Sequence, residues 1–312
     1  MLHQRDDFAD LLTVVGESTG AGAAIVEKDY WVTEALRAIA ATYGDGVVFK
    51  GGTSLSKAWG LIHRFSEDID LLVRSEGEGR ETQGELTRYM RAIADSVAAV
   101  NGLFLTTGGR SERGVSRAAE YEYQGVSVAR AGLDATVILE MGIRGGPYPT
   151  TLRPLQSLVG AALLEQGIVG EGVDPFDMVV LNPERTLVEK LFALDSACKR
   201  WAEGDPDALR RQSRHLLDVA ALLAEPSVAD FVGTDEYFEL IADVDTVSQR
   251  YFAVTHRAPE NLRFASTGAL DARTAEFAAL RDDYERSQYL FYGDVPSLGD
   301  VIEQISAFHD RL

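Results

Sequence analysis

Cysteine is almost absent from this chain of 312 residues, since Cys198 is the only one. A single cysteine cannot form an internal disulfide, which agrees with a reducing compartment. Cys198 falls on the apolar stripe of a predicted helix, which favours burial over reactivity. The N-terminus, MLHQRDDFADLL, lacks the apolar core of a signal peptide, and no apolar run reaches membrane-spanning length. These absences predict a cytoplasmic protein with no membrane partner.

Positive charge is also scarce, because 30 Lys and Arg oppose 49 Asp and Glu, for a formal net charge of −19. Proteins that bind nucleic acid usually carry a basic surface, and an acidic one repels phosphates over a Debye length of about 10 Å. A nucleic acid would therefore have to meet a local basic patch. Internal repeats and low-complexity tracts are missing too. The length suits a large core or two domains, and the 46% hydrophobic content is typical of a soluble globular protein.

The stretch from Val47 to Val73 carries the densest functional pattern. Its VVF run predicts a short buried strand, and the Gly51-Gly52 pair predicts a sharp turn. After the glycines, the spacing of the apolar residues predicts a helix. Along the next strand the side chains alternate between faces, so Asp68 and Asp70 project to the same side. No G-x-x-x-x-G-K-[ST] pattern lies near the glycines, which excludes a P-loop ATPase.

Two carboxylates on one strand repel each other unless a cation lies between them. Mg²⁺ is the expected ion, with Mn²⁺ as the alternative, because hard cations prefer oxygen ligands and leave positions open for substrate phosphates. Backbone N–H groups at Gly51, Gly52 and Thr53, with the start of the following helix, would seat phosphates, and Ser54 is a further candidate. A lone Asp-x-Asp is often a solvated strand end, so the functional interpretation depends on both motifs occurring in this order.

This combination resembles the nucleotidyltransferase superfamily, whose signature is Gly-Gly or Gly-Ser, a short helix and Asp-x-Asp on the next strand. More narrowly, KGGTSLSK followed by RFSEDIDL resembles the AbiEii/MenT-type toxins of toxin–antitoxin and abortive-infection systems. EKDYWVTEAL and FYGDVPS resemble further segments of that family, so the resemblance spans nearly the whole chain. It implies transfer of a nucleoside monophosphate from a nucleoside triphosphate to an acceptor hydroxyl. The implied acceptor is the 3′ end of tRNA, the outcome growth arrest and the partner a cognate antitoxin.

A third carboxylate is expected on a neighbouring strand, to complete the metal shell and accept the proton of the attacking hydroxyl. Glu140, in the predicted strand ATVILEMGI, is the main candidate. The resemblance favours it, because the family carries an acidic residue in the middle of this strand. Asp134 is the alternative, because strand alternation puts it on the same face as Glu140. It lies at the expected start of the strand, where aspartates commonly form turns or caps.

The second half of the chain reads as mostly helical. Asn182-Pro183 predicts a helix start, and an apolar stripe runs from Leu187 to Cys198. Lys190 lies at the border of that stripe, where a lysine can simply snorkel. PERTLVEKLFAL resembles the segment in which the family keeps a functional lysine, and Lys190 is the matching position. The implied role is binding of triphosphate oxygens and of charge that develops on the pyrophosphate.

A basic segment, RRQSRHLLD, leads into another predicted helix. One face of the projected helix carries four polar residues: Arg211, Arg214, His215 and Asp218. An Arg214–Asp218 surface pair would contribute little to stability. The resemblance instead implies an essential aspartate at Asp218, which would position a substrate or Lys190, while His215 replaces the family's first acidic position. Arg211 and Arg214 belong to the densest basic cluster and are the candidates for RNA contacts.

Three more polar residues are candidates near the motif. Ser66 lies two residues before Asp68, so its phosphorylation would add about −1.5 to −2 charges beside the metal site and oppose triphosphate binding. Lys28 and Asp29, on the predicted N-terminal helix, could reach the site, but solvation at the surface is the expected role of each.

The sequence as a whole predicts an α+β protein. Residues 1–155 are expected to form a nucleotidyltransferase-fold domain, a mixed sheet with flanking helices. Residues 156–312 are expected to form a mostly helical domain that closes the active-site cleft. Ser297 and Asp300 predict a capping box on the last helix. Two alternatives to the tRNA enzyme remain: a nucleotidyltransferase acting on a small molecule such as an antibiotic, which the acidic surface suits, and a non-catalytic module that binds a nucleotide or a partner.

Overall fold

The computed structural model describes residues 1–62, 64, 68–74, 82–106, 109–127, 133–288, 291 and 295–312. The chain folds into two compact units, and each is assembled from separate segments. The segments of the first unit are Met1–Ala58, Phe65–Ile143 and Thr150–Leu181. Those of the second are Trp59–Arg64, Arg144–Pro149 and Asn182–Leu312.

The described residues form eleven α-helices and eight β-strands. The helices are α1 (Phe8–Thr19), α2 (Ala23–Tyr43), α3 (Gly51–Lys57), α4 (Gln83–Ala98), α5 (Leu158–Glu165), α6 (Pro183–Ala202), α7 (Ser213–Ala224), α8 (Pro226–Phe231), α9 (Asp235–Phe252), α10 (Ala275–Arg286) and α11 (Leu298–Ser306). The strands are β1 (Val47–Lys50), β2 (Asp68–Val73), β3 (Leu103–Leu105), β4 (Ser111–Glu112), β5 (Ser116–Tyr123), β6 (Thr136–Gly142), β7 (Thr150–Leu155) and β8 (Phe176–Leu181).

The first unit is built on one mixed sheet, as the sequence predicts. Its strand order is β3-β5-β6-β2-β1-β8-β7, and β4 pairs with β5. β2 runs parallel to β6 and β1 parallel to β8, whereas the other neighbours are antiparallel. The Asp-x-Asp strand therefore lies in the interior of the sheet, flanked by β1 and β6.

Alternation along the central strands separates an apolar face from a polar one. Ile69 and Leu139, which are paired in register, are fully buried, and so is Phe49 on β1. Helix α2 contacts β6 and β8, and α4 contacts β5, where Tyr121 donates a hydrogen bond to the carbonyl of Ala94. Burying each such large side chain stabilises the fold by about 1.5–3 kcal/mol. This core holds β2 and β6 in place, with their polar positions on the opposite face.

The sheet continues past the domain boundary that the sequence suggested at residue 155. Strand β8 pairs with β1 on one side and with β7 on the other, and the first compact unit accordingly reaches Leu181. The continuous helical part begins at α6, where Asn182 and Pro183 start the helix as predicted.

The second unit is helical. Helix α7 packs against α6, α8, α10 and α11, and its apolar residues Leu216, Val219 and Leu222 are fully buried. The capping box at the start of α11 is confirmed, since Ser297 and Asp300 each accept a hydrogen bond from the other's backbone N–H.

Two predictions about apolar segments can be compared with the structure. Cys198 is buried in α6, as expected, and burial raises the pKa of its thiol to about 12. None of the helices in the described ranges combines the length and the apolar composition that crossing a membrane requires.

Candidate active site

The acidic residues of the central strands share one face of the sheet. Asp70 on β2 is paired in parallel register with Glu140 on β6, and Asp68 with Ile138. Both aspartates are partly exposed and Glu140 is exposed, whereas Ile69 between them is buried. We call Asp68, Asp70 and Glu140 the acidic face. The predicted common orientation of the two aspartates is confirmed, and Glu140 is the acidic residue that the register brings beside Asp70.

The rival third carboxylate, Asp134, lies before β6 begins at Thr136. Its side chain is exposed, and its backbone carbonyl accepts a hydrogen bond from Lys28 Nζ at 3.1 Å. This is the position at the strand entrance that the sequence indicated. Asp134 is thus outside the register that pairs Asp70 with Glu140.

The glycine turn before α3 makes room for one of these carboxylates. Gly51 has a φ of +76°, a conformation that residues with a Cβ rarely adopt. A Cβ at this position would also collide with the Asp70 carboxylate. Glycine is therefore required here on two independent grounds, the backbone conformation and the close approach of Asp70.

The hydroxyl groups that follow the turn have backbone partners. Thr53 and Ser54 are buried; the Thr53 hydroxyl donates to the backbone carbonyl of Asp68, and the Ser54 hydroxyl to that of Gly51 at 2.9 Å. Thr53 thereby ties α3 to the strand that carries the aspartates. Any phosphate contact made by these two residues is then expected from their backbone N–H groups.

The donors of the acidic face suit a hard cation. Among the described residues, no three His, Cys, Asp or Glu side chains are grouped closely enough to hold a metal ion on their own. Mg²⁺ commonly takes only one or two protein carboxylates and completes its shell with water and substrate phosphates. Asp68 and Asp70 fit that requirement, and the space left by Gly51 accommodates the Asp70 carboxylate.

Helix α2 holds this region with charged side chains that the sequence placed at the surface. Lys28 is only 2% exposed, and Asp29 forms an ion pair with Lys57 at the end of α3, 2.6 Å from Oδ1 to Nζ. Asp29 Oδ2 also accepts a hydrogen bond from the Leu158 backbone N–H. The expectation of solvation is wrong for both residues, because partners distant in the sequence enclose them.

A neighbouring residue of α2 anchors a loop after β5. The Glu27 carboxylate is 2% exposed and accepts hydrogen bonds from the backbone N–H groups of Val126 and Ser127, at 2.8 and 3.0 Å. Helix α2 therefore fixes three connections of the first unit: the end of α3, the approach to β6 and the loop after β5.

The second unit contains a buried cluster of charged residues. Arg64 donates two hydrogen bonds to Asp218, from Nε to Oδ1 and from Nη2 to Oδ2, both at 2.7 Å. Lys190 Nζ lies 2.6 Å from Asp218 Oδ2 and 3.4 Å from Nδ1 of His215. We call Arg64, Lys190, His215 and Asp218 the Asp218 cluster. Asp218 is completely buried, and Arg64 and Lys190 nearly so.

The electrostatics of the Asp218 cluster follow from two cations facing one carboxylate. Burial alone would raise the pKa of Asp218, but Arg64 and Lys190 outweigh it and hold that pKa below its ordinary value. Burial lowers the pKa of Lys190, and Asp218 opposes this change. Burial and the Lys190 cation lower the pKa of His215 well below 6.5, so its ring is neutral at neutral pH. Two basic side chains, Arg64 and Lys190, thus face the single carboxylate of Asp218.

The sequence predicted only some members of the Asp218 cluster. The structure brings Lys190 and Asp218 together, whereas the suggested Arg214–Asp218 surface pair is wrong because Asp218 is buried against other cations. Arg64 was overlooked as a site residue. Its one signal is its place at the start of the RFSEDIDL segment, four residues before the first aspartate.

The basic segment before α7 departs from its helical projection. Helix α7 begins at Ser213, and Arg211 precedes it with a φ of 61°, its backbone N–H donating to Asp283. Arg211 therefore does not share a helical face with Arg214. Part of the basic charge nearby is also compensated, because Arg200 forms an ion pair with Asp205. Ser66 lies outside the described residues.

Comparison with known proteins gives two matches. The family described as nucleotidyl transferase AbiEii toxin of type IV toxin–antitoxin systems matches residues 34–304. Among solved structures, the chain is similar to MenT4, a nucleotidyltransferase toxin from Mycobacterium tuberculosis H37Rv, at 17% identity and a TM-score of 0.51. That match covers 95% of this chain and 98% of MenT4, and it shows a common fold. No curated protein matches the sequence significantly.

Proposed function

We propose, from the premise that this chain belongs to the AbiEii family of nucleotidyltransferase toxins, that it transfers a nucleoside monophosphate from a nucleoside triphosphate to an acceptor hydroxyl. Membership implies a nucleotide substrate and an antitoxin partner. The observation that carries the proposed reaction is the pairing of Asp70 with Glu140 next to the Gly51 turn. Carboxylates beside a tight glycine turn suit a reaction that must hold a cation and a phosphate chain together.

Asp68 and Asp70 are the residues proposed to hold a divalent cation, Mg²⁺ first and Mn²⁺ as the alternative. When bound, such an ion neutralises negative charge on the transferring phosphate. The backbone N–H groups of Gly51, Gly52 and Thr53 are proposed to seat phosphate oxygens. Since the hydroxyls of Thr53 and Ser54 donate to backbone carbonyls, we assign the phosphate contacts to the main chain.

Glu140 is proposed to accept the proton of the attacking hydroxyl, with Asp70 as the alternative. A general base has to lie within hydrogen-bond reach of the proton that it removes. Glu140 is exposed on the same sheet face as the aspartates, so an acceptor can reach it from solvent. Asp134, before the strand, is not assigned this role.

Lys190 is proposed to bind triphosphate oxygens and to offset the charge on the departing pyrophosphate. The surroundings of Lys190 support this assignment, because a second basic side chain, Arg64, lies on the same carboxylate and strengthens attraction of an anionic ligand. Asp218 is proposed to orient Lys190, from which it lies 2.6 Å.

The proposed acceptor is the 3′ end of a tRNA, and the proposed outcome is arrest of growth. Arg214 and Arg211 are the proposed RNA contacts, with phosphate contacts that position the RNA without reading its sequence. Binding would depend strongly on salt, because each neutralised phosphate releases counterions. The cytoplasmic location of the protein stays a prediction.

One labelling experiment tests this function. Purified protein is incubated with Mg²⁺, total bacterial RNA and one α-labelled nucleoside triphosphate at a time, and the products are separated on a denaturing gel. Label in tRNA-sized bands is expected with the native chain and not with Asp68→Asn. The same reaction without Mg²⁺, and with Mn²⁺ in its place, tests the cation. RNA without label in every reaction would reject the tRNA acceptor.

A small hydroxylated molecule is the second candidate acceptor, favoured by the net charge of −19. An acidic protein attracts cationic substrates such as amino sugars and repels RNA. Adding a cationic aminoglycoside to the labelling reaction distinguishes the two: a labelled product smaller than RNA would support the drug acceptor. A non-catalytic binding module is not proposed, because the family is one of nucleotidyltransferases.

A further inference from the structure

His215 is a partly buried histidine that contacts a buried lysine. It lies in the first turn of α7, with its side chain 20% exposed, and its Nδ1 is 3.4 Å from Lys190 Nζ. Asp218, one turn further along the same helix, contacts the same ammonium at 2.6 Å. Two groups of one helix thus approach a single cation on α6.

The chemistry of the contact fixes the state of the ring. A lysine ammonium has three N–H donors and no acceptor. In a hydrogen bond donated by that ammonium, Nδ1 is the unprotonated nitrogen of His215 and the ring proton is on Nε2. Burial and the Lys190 cation both favour the neutral ring, which agrees with the lowered pKa of His215.

We propose that His215 is a positioning residue, whose unprotonated Nδ1 accepts a hydrogen bond from Lys190 and, with Asp218, aims the ammonium at an anionic ligand. The inference rests on the proposed role of Lys190 in binding triphosphate. Asp218 and His215 engage two of the three N–H donors of Lys190, and the third is directed to the ligand. The choice of a neutral acceptor has a consequence for charge. A carboxylate in its place would put a second negative charge beside the Lys190 ammonium and oppose an anionic ligand, whereas a neutral imidazole orients Lys190 without adding charge.

The contact also makes the arrangement sensitive to acid. Within the part of the chain that the structure describes, the charged groups that act on the His215 ring are Lys190, Arg214 and Arg64, which are positive, and Asp218, which is negative. If the ring of His215 were protonated, Nδ1 could no longer accept a hydrogen bond, and the positive ring would repel the Lys190 ammonium. Orientation of Lys190 should therefore fail as the pH falls through the pKa of His215, which lies below 6.5.

The first test needs no enzymatic activity. The chain has five histidines, so ¹⁵N spectra of labelled rings can be assigned with His215→Asn, which removes one set of signals. We expect His215 to show a proton on Nε2 and none on Nδ1 at neutral pH. In Lys190→Met the facing cation is gone, so the pKa of His215 should rise. A proton on Nδ1 at neutral pH, or a pKa that Lys190→Met leaves unchanged, would overturn the proposal.

The second test separates hydrogen bonding from packing. The amide oxygen of His215→Asn can replace Nδ1 as an acceptor, whereas His215→Leu fills the space without one. We expect KM for the nucleoside triphosphate to rise about tenfold in His215→Leu and to stay within about twofold of native in His215→Asn, because one hydrogen bond to a charged group is lost only in the leucine variant. Equal effects of the two variants, with circular dichroism unchanged, would contradict the proposal.

The pH profile supplies a readout that a structural role would not move. His215→Asn has no titrating ring, so the ratio of native to variant activity should fall as the solution is acidified below pH 6.5. A constant ratio would count against the proposal. If the native chain transfers no nucleotide at all, the proposed function fails by itself, and the ring spectra still decide whether His215 accepts a hydrogen bond from Lys190.

Discussion

Arg64 and Asp218 form a two-point ion pair across 154 residues of sequence, with Nε and Nη2 of the arginine each 2.7 Å from one carboxylate oxygen. Neither side chain is more than 4% exposed. A planar guanidinium that matches both oxygens fixes the orientation of the carboxylate as well as its charge. Asp218 can therefore present one defined oxygen to Lys190.

Removal of Asp218 should destabilise the fold strongly. Asp218→Ala removes the carboxylate that Arg64 and Lys190 both contact, and breaking a buried pair in this way costs about 3–5 kcal/mol. Urea denaturation followed by circular dichroism measures the loss. The matched control is Arg273→Ala, which removes the 90% exposed partner of Asp271 and should change stability little. Similar losses in both variants would contradict the buried pairing.

The effect of Asp218 on stability should depend on pH. Because the folded-state pKa of Asp218 is depressed, its ionisation stabilises the fold above its ordinary value of 3.8, and this contribution is lost as the pH falls from there toward the folded-state pKa. The difference in unfolding free energy between native protein and Asp218→Asn should therefore be constant from pH 6 to 8 and should shrink below about pH 4. A difference that grows in acid would show that the carboxyl is protonated in the fold.

Conservative variants of the acidic face should abolish transfer without unfolding the protein. Asp68→Asn and Asp70→Asn keep the size of the side chains and remove the negative charges, so we expect activity to fall more than about a hundredfold, or about 3 kcal/mol in the barrier. The activity of Glu140→Gln should fall by a comparable factor. Asp134→Asn is the matched control and should keep most of the activity. Loss of transfer in Asp134→Asn but not in Glu140→Gln would reverse the assignment of the third carboxylate.

Gly51 offers a test of the space beside Asp70. Gly51→Ala should lose activity and stability together, because the new Cβ collides with the Asp70 carboxylate in addition to the strain of a positive φ. Gly20→Ala is the control, since Gly20 has a similar φ of +69° and no atom near its Cβ position. Gly20→Ala should lose only about 1–2 kcal/mol of stability, the cost of the left-handed conformation, and keep full specific activity. Equal activity in the two variants would show that the Asp70 contact is unimportant.

The Asp29–Lys57 pair should support the turn indirectly. Lys57→Met leaves the Asp29 carboxylate without its cation, for an expected loss of about 3 kcal/mol. Adding Asp29→Leu should recover part of that loss, because the uncompensated charge is then removed. Denaturant titrations of both single variants and the double variant give the coupling between the residues. Additive effects of the two substitutions would mean that the pair does not interact.

Local patterns in the sequence predicted the elements and the common orientation of the two aspartates. Alternation along a strand places Asp68 and Asp70 on one side whatever the rest of the chain does. The start of α6 at Pro183 and the capping box of Ser297 and Asp300 are equally local, since each depends on residues within one turn of a helix. These features appear in the structure as predicted.

Features that depend on distant partners could not be predicted in the same way. The partial burial of Asp29 depends on Lys57 and on the backbone of Leu158, and nothing near Asp29 in the sequence indicates either partner. The late start of α7 has a similar cause, because the Asp283 carboxylate accepts hydrogen bonds from the backbone of Arg211 and Ser213 and holds Arg211 outside the helix. Helical projection assumes that the segment is already helical at Arg211. The side chain of Asp283, 70 residues after Ser213, instead holds the start of the helix at Ser213.

The short segment Trp59–Arg64 belongs to the helical unit although the chain on both sides of it belongs to the sheet unit. A gene fragment that begins at Asn182 would encode Lys190 and Asp218 without the arginine that pairs with Asp218. Recombination at a single point cannot therefore transplant the helical unit intact into another protein. A recombinant that receives Asn182–Leu312 without Trp59–Arg64 would leave Asp218 with Lys190 alone and without the arginine that fixes its orientation.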